Sequence, residues 1–174
     1  MNTILAVQPG LTPSVALFEM AGWQRSEQFD RVLARLRMTD VIRTAPSEPL
    51  PVRLRALAGG LDRILAGARN SLWAVSLIYI EQPSGNQHRG RRGISAAQLS
   101  LVWLASGALI TAAVARGVAV RLVRAPTLAR KVRHRSVLSS LPAAERRADA
   151  DVLDAIWLGA TCITSPKYQP QSRD

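Results

Sequence analysis

The sequence is poor in the side chains that form disulfides and soft-metal sites. Its 174 residues include one cysteine, Cys162, and two histidines, His88 and His134. One cysteine excludes an internal disulfide and a cysteine zinc cluster, and two histidines exclude a histidine-rich metal site. Any bound metal must therefore be held by carboxylates, which favour Mg²⁺ or Mn²⁺ over zinc.

Negative charge is also scarce. The sequence has 12 aspartates and glutamates against 23 lysines and arginines, a formal net charge of +11. Such an excess favours a polyanionic partner such as nucleic acid, because phosphate contacts supply most non-specific affinity. A membrane surface, or a basic surface that binds nothing, gives the same balance, so charge alone leaves these alternatives open.

Composition and length indicate one globular domain. Hydrophobic residues make up 48% of the sequence and charged residues 20%, and 174 residues suit a single core. No signal-type segment opens the sequence, so a cytoplasmic location is expected. Residues 1–164 are predicted to form the domain, and the polar, proline-containing residues 165–174 a loose tail.

The first third of the sequence has the pattern of two strands, a helix and a third strand. Apolar runs at 3–7 and 15–19 predict a β-hairpin whose loop includes Ser14. Apolar residues at helical spacing predict a helix over 26–38, and a strand is predicted over 40–44.

The middle of the sequence alternates helices and strands. An amphipathic helix is predicted over 52–69, and the apolar run 73–80 predicts a central strand that ends at Glu81. A helix over 94–115 and a strand over 118–123 follow. This order predicts an α/β fold with a mixed central sheet, hairpin strands first, flanked by helices.

The helix predicted over 94–115 has no charged residue and is about as long as a membrane span. Serine, glutamine and threonine recur in it and alanine is abundant, which favours a helix buried between the sheet and a partner subunit. A membrane span with basic flanks is the alternative.

Two basic clusters are candidates for contacts with DNA phosphates. One lies in a glycine-containing loop, residues 84–93, and the other follows Pro126. The candidate residues are Arg89, Arg91, Arg92, Arg130, Lys131 and Arg133, with His134 and Arg135 beside the last three. A solvated basic surface is the commoner meaning of such clusters, so the sequence leaves both interpretations open.

An acidic pair, Asp151 and Asp154, lies near the end of the sequence. Residues 140–145 resemble the start of a helix that leads into this pair. In such a helix the two aspartate side chains would be one turn apart on one face. Two carboxylates so close repel each other unless a cation lies between them. The alternative is a solvated first turn, where the helix dipole favours aspartate. Glu81 is a third candidate, because open α/β sheets bind ligands at the carboxyl ends of their strands.

Four short motifs resemble one family. They are ILAVQPGL (4–11), VIRT (41–44), IEQ (80–82) and DVLDAI (151–156), and their order and spacing cover nearly the whole chain. On these residues the sequence resembles the RuvC-type crossover-junction endonucleases of the RNase H-like superfamily, including phage-type members.

This resemblance implies an active site that holds two Mg²⁺ ions and an enzyme that resolves branched DNA such as Holliday junctions. It also implies a homodimer that does not associate with a membrane. Glu81, Asp151 and Asp154 correspond to three of the family's metal-binding acids, with Mn²⁺ as a possible substitute. The fourth acid falls on Gln8, a neutral amide, so this form is expected to be impaired or inactive. Asp149 is not expected to compensate, because residues two apart in a helix face nearly opposite directions. The alternative is a catalytically dead RNase H-like module that binds DNA or protein.

Overall fold

A computed structural model describes residues 2–20, 28–83, 95–124, 130–141 and 149–168. Within these ranges, five strands form one sheet in the order β3-β2-β1-β4-β5. The strands are β1 (Asn2–Gln8), β2 (Ser14–Glu19), β3 (Leu36–Val41), β4 (Ala74–Glu81) and β5 (Ala119–Val123). The helices are α1 (Phe29–Leu33), α2 (Leu50–Asn70), α3 (Ala96–Ala115), α4 (Arg130–Ser140) and α5 (Ala150–Thr164).

The sheet is mixed, as the sequence predicts. β1 and β2 form the expected antiparallel hairpin, and β3 extends it antiparallel to β2. β4 pairs parallel with β1, and β5 pairs parallel with β4. A helix precedes each of these strands, α2 before β4 and α3 before β5, because parallel neighbours need a crossover connection. The α/β architecture is therefore confirmed.

Alternating side chains divide the central strands between two hydrophobic cores. Ile4 and Ala6 of β1 face a core that α1, α4 and α5 cover. Leu5 and Val7 face the opposite core, which α2 and α3 cover. All four side chains are at most 1% exposed, so β1 is buried on both faces, as a central parallel strand must be.

The prediction of a helix over 26–38 is wrong for its second half. α1 ends at Leu33, and β3 begins at Leu36, four residues before the predicted strand. Leu36 pairs with Phe18 and Met38 with Leu17, so hydrogen bonds to β2 override a helical apolar spacing. Ser14, predicted in the hairpin loop, is the first residue of β2 because it pairs with Gln8.

α3 has well-defined ends. A capping box begins it: Ser95 Oγ accepts a hydrogen bond from Gln98 N at 3.2 Å, and Gln98 Oε1 accepts one from Ser95 N at 3.0 Å. Gly117, at φ +71°, takes the left-handed conformation that ends many helices, and β5 follows at once.

Part of the stretch predicted as a loose tail contacts the sheet. Pro166–Tyr168 form a 3₁₀ helix after α5. The Tyr168 carbonyl accepts hydrogen bonds from Tyr79 Oη at 2.6 Å and from Arg121 Nη1 at 3.1 Å. The Tyr168 hydroxyl donates to the carbonyl of Arg124 at 2.8 Å. These bonds hold the chain beyond α5 against β4 and β5.

Candidate metal centre

Gln8 and Glu81 end two neighbouring parallel strands in the middle of the sheet. Val7 is paired with Ile80, so Gln8 and Glu81 are the next residues on each strand. Each lies two residues after a side chain of the α5-side core, Ala6 on β1 and Tyr79 on β4. Because side chains alternate along a strand, both site residues face the α5 side. The structure therefore brings together the strand ends that the sequence singled out.

The Glu81 side chain and the amide oxygen of Gln8 are buried. Glu81 is 3% exposed. The Oε1 atom of Gln8 is buried and has no hydrogen-bond partner in the described part of the chain. Ser14, directly across the hairpin from Gln8, is 1% exposed and faces the same side. A buried carbonyl oxygen without a donor is costly, so a cation or a hydrogen-bond donor beside it would stabilise this corner.

α5 lies close against β1 and β2. A Cβ atom on Gly159 would overlap the Phe18 ring and lie 3.0 Å from Cβ of Ala6, so only glycine permits this approach. Cys162, one turn further on, is buried. Burial raises the pKa of the Cys162 thiol, and the negative charge of Glu81 raises it further. Burial also raises the pKa of the Tyr79 hydroxyl, an effect that Cys162 reinforces and Arg121 opposes.

The two aspartates of α5 have different environments. Asp151 lies in the first turn and is exposed, whereas Asp154 is only 4% exposed. Asp149 is the N-cap residue of α5 by its backbone, and its exposed side chain makes no capping hydrogen bond. Asp151 therefore fits the solvated first turn that the sequence left open, and Asp154 is the buried carboxylate of the pair.

Two side chains of α4, Arg133 and His134, contact the buried Asp154. Nε2 of His134 lies 3.0 Å from Asp154 Oδ1, and Nη2 of Arg133 lies 3.6 Å from the same oxygen. α4 packs against α5 through Val137 and Leu141, both at most 2% exposed. The sequence interpretation missed this contact. The signal was present, because residues 134, 137 and 141 recur at helical spacing, which places His134 and Val137 on one face of α4 and Leu141 just beyond its end.

The residues predicted to bind DNA fall into three groups. Arg89, Arg91 and Arg92 lie outside the described residues. Arg130 and Lys131 form the first turn of α4. Arg133, predicted to contact phosphate, lies against Asp154 with only 15% of its side chain exposed.

The donor set has the chemistry of a magnesium site, since Gln8, Glu81, Asp151 and Asp154 offer only oxygen ligands. The unpartnered Gln8 oxygen beside the buried Glu81 fits such an ion. Among the described residues, however, no group of three or more Asp, Glu, His or Cys side chains is arranged to hold a metal. The residues thus fit the chemistry of the metal but are not gathered around one point.

Comparisons of the whole chain identify its architecture. Thermus thermophilus RuvC, in a complex with a Holliday junction substrate, superposes with a TM-score of 0.67 at 18% identity over 92% of each chain. The chain has a RuvC-like fold. A second structure of Thermus thermophilus RuvC gives a TM-score of 0.60 at 18% identity, again over 92% of each chain. No protein-family model matches the sequence, and no curated protein matches it significantly.

Within the RuvC-like fold, α3 leaves one apolar face uncovered. Its inner face, which includes Ala105 and Leu109, packs on the sheet and α2. On its outer face Trp103 is 40%, Leu104 49% and Val114 61% exposed. Among the described helices, α3 alone is long and apolar enough to cross a membrane, a test that core helices of soluble proteins also pass.

Proposed function

We propose that this protein is a metal-dependent, structure-selective endonuclease that acts on branched DNA, and that Gln8 impairs the form described here. The observation that carries the proposal is the placement of Gln8 and Glu81 side by side at the carboxyl ends of β1 and β4, facing α5, in a RuvC-like fold. The formal charge of +11 supports a phosphate-rich substrate. DNA as the substrate implies a cytoplasmic location.

The proposed site uses oxygen ligands from three elements. Glu81 and Asp154 are the buried carboxylates, Asp151 is the exposed one, and Gln8 offers a neutral carbonyl oxygen at the fourth corner. Bound Mg²⁺ or Mn²⁺ supplies activation of the attacking water and stabilisation of the leaving oxygen. An amide in place of a carboxylate removes one negative charge from this set, so metal affinity is low in the present form.

The proposed active species is a homodimer joined through the outer face of α3. The exposed positions 100, 103, 104, 107, 111 and 114 form one continuous stripe along this helix. A two-fold dimer presents the same stripe from both subunits, and its two active sites would face two strands of a two-fold branched junction. The arginines of the basic clusters would contact the DNA backbone.

Restoring the missing charge tests the function. The Gln8→Asp variant should cut a synthetic four-way junction in Mg²⁺, whereas the unchanged chain should cut slowly or not at all. A Gln8→Asn variant is the matched control, because it has the same length as aspartate without its charge. Cutting is measured on end-labelled strands, with linear duplex as the unbranched comparison.

The pattern of activity decides the outcome. Cutting by the aspartate variant alone supports a disabled nuclease whose strand-one ligand has been replaced. An aspartate variant that is folded and binds the junction, yet never cuts with Mg²⁺ or Mn²⁺, contradicts the nuclease assignment.

A second function, a catalytically dead module that binds DNA or protein, is favoured by a separate observation. Arg133 and His134 already contact Asp154, and Gln8 removes a charge from the site. Calorimetric titration with Mn²⁺ distinguishes the two. A pure binding module should show no saturable metal site in either the unchanged chain or Gln8→Asp.

A further inference from the structure

Arg133 makes an incomplete set of contacts. Its Nη2 atom lies 3.6 Å from Asp154 Oδ1, longer than the 2.7–3.2 Å typical of a hydrogen bond. Its Nε atom is buried and has no hydrogen-bond partner in the described part of the chain. His134, at 3.0 Å, makes the shorter contact to the same carboxylate oxygen. Arg133 therefore balances charge near Asp154 while part of its guanidinium lacks an acceptor.

We infer that Arg133 is a switch residue: it lies against Asp154 in the free protein and moves to a DNA phosphate in the complex, which removes a cation that competes with the metal for Asp154. The inference rests on the proposed function for its substrate and its metal. It differs from a simple phosphate contact, because the same side chain also competes with the metal for Asp154 when DNA is absent.

Charge and geometry support the exchange. Asp154 is 4% exposed, so its ionised form needs a nearby cation, and either Arg133 or a metal ion can supply it. A guanidinium forms paired hydrogen bonds with a phosphate, which would satisfy donors that Asp154 leaves unused. Arg133 is also 15% exposed and lies in the basic segment of α4, so phosphate can approach from solvent.

This arrangement links DNA binding to metal binding. If DNA removes the competing cation from Asp154, DNA must raise the affinity for metal, and metal must raise the affinity for DNA by the same factor. The free protein would then hold metal weakly and cut only where a phosphate backbone has bound.

The test measures Mn²⁺ affinity by calorimetry without DNA, in the unchanged chain and in the Gln8→Asp background, where the added carboxylate strengthens binding. Arg133→Gln should bind Mn²⁺ about tenfold more tightly than its parent, since a competing charge is lost. Arg135→Gln is the matched control: Arg135 is exposed on the same helix, so removing its charge should change affinity less than threefold. Arg133→Lys, which keeps the charge, should retain affinity close to that of the parent.

A second measurement adds a four-way junction in a non-cleaving buffer that contains Ca²⁺ as the metal. The junction should raise Ca²⁺ affinity in the parent, and this gain should largely disappear in Arg133→Gln. Equal metal affinities for Arg133→Gln and Arg135→Gln overturn the inference, and so does a junction that leaves metal affinity unchanged. Absence of a saturable metal site in every form overturns it as well.

Failure of the switch and failure of the proposed function are distinguishable. If Gln8→Asp cuts the junction but Arg133→Gln binds Mn²⁺ no better than its parent, the nuclease assignment stands and the switch is wrong. If Gln8→Asp binds metal yet never cuts, the nuclease assignment fails regardless of Arg133. Circular dichroism and thermal unfolding confirm that each variant is folded before its affinity is interpreted.

Discussion

Two apolar helices, α5 and α3, lie on opposite faces of the same sheet and differ in what covers them. Eleven of the 15 residues of α5 are buried, because the sheet lies on one side and α4 and α1 on the other. Only five of the 20 residues of α3 are buried. Phe29 of α1 stacks near Trp157 of α5, with ring centroids 5.0 Å apart, whereas Trp103 of α3 is 40% exposed.

The enclosed α5 contributes to the stability of the single chain, whereas the exposed face of α3 is the surface of the proposed dimer. α5 carries Asp154, and its enclosure holds this proposed metal ligand in a fixed position. The outer stripe of α3 has no packing partner among the described residues of a single chain, and the proposed second subunit would supply one. Two helices of similar apolar composition are therefore expected to differ in role, one packing within the chain and the other against a second subunit. The following substitutions distinguish these roles.

Truncation of a buried leucine should give the largest effect. Leu158→Ala on α5 removes a side chain that is 2% exposed and should lower the free energy of unfolding by roughly 2–5 kcal/mol. Leu104→Ala on α3 makes the same chemical change where the side chain is 49% exposed, and should cost less than about 1 kcal/mol in the monomer. Urea denaturation at low protein concentration measures both. Equal losses would show that the outer face of α3 is packed within the single chain.

A charge on the outer stripe of α3 should break the proposed dimer. Leu104→Glu should weaken dimer formation by roughly 2–4 kcal/mol, or about 30- to 1,000-fold in dissociation constant, because it buries an unpaired carboxylate. Sedimentation equilibrium measures the change. Leu72→Glu is the matched control, since Leu72 is 82% exposed and lies outside α3. A dimer that survives Leu104→Glu but not Leu72→Glu would place the interface elsewhere.

Alanine in place of glycine should have opposite effects on the two helices. Gly159→Ala places a methyl group against the Phe18 ring and should destabilise the protein by roughly 1–3 kcal/mol. At Gly107 of α3 a Cβ atom meets nothing within 4 Å. Gly107→Ala should therefore stabilise the monomer by up to about 1 kcal/mol through helix propensity. Thermal unfolding of the two variants tests whether the first lowers and the second raises stability. Weaker dimerisation of Gly107→Ala would indicate a close helix crossing there.

Raising the pH should lower the free energy of unfolding through the buried thiol of Cys162 on α5. Because burial and Glu81 raise the pKa of Cys162, the folded state keeps the proton when the unfolded state has lost it. The thiol's contribution is complete below its unfolded pKa of about 8.5 and is lost progressively above it. Between pH 8 and 10 the parent should lose about 1–2 kcal/mol more stability than Cys162→Ala. Parallel pH profiles for the two proteins would contradict burial of this thiol.

Local sequence patterns were sufficient to predict the ends of the helices and strands whose hydrophobic pattern is strong. The ends of the mostly apolar β4, the long α2 and the capped α3 are all predicted within two residues, because each has its own hydrophobic pattern and stop signals. The boundary between α1 and β3 was not predictable. Leu36 fits the helical spacing of Phe29, Val32 and Leu33. Only the pairing of Leu36 and Met38 with β2 decides that they form a strand.

Only part of the candidate site could likewise be predicted from the sequence. The sequence identified Gln8 and Glu81 as strand-end residues, and the parallel pairing of β1 with β4 places them side by side. It could not distinguish Asp151 from Asp154, since both have the residue type and spacing of a metal ligand. Burial separates them, and burial depends on how α5 packs against α4 and the sheet.

By itself, the sequence determined which ligand atoms the chain can offer to a metal and the order of its strands and helices. Oxygen ligands, the excess of positive charge and the alternation of strands and helices are properties of residue type and spacing, which the chain carries before it folds. The tertiary structure decided which partner each charge has. The contacts of Arg133 and His134 with Asp154 join residues about 20 positions apart, and they form because α4 packs on α5 through Val137 and Leu141. The helical spacing of α4 shows which of its residues share a face, but only the tertiary packing decides that this face lies against Asp154, the proposed metal ligand.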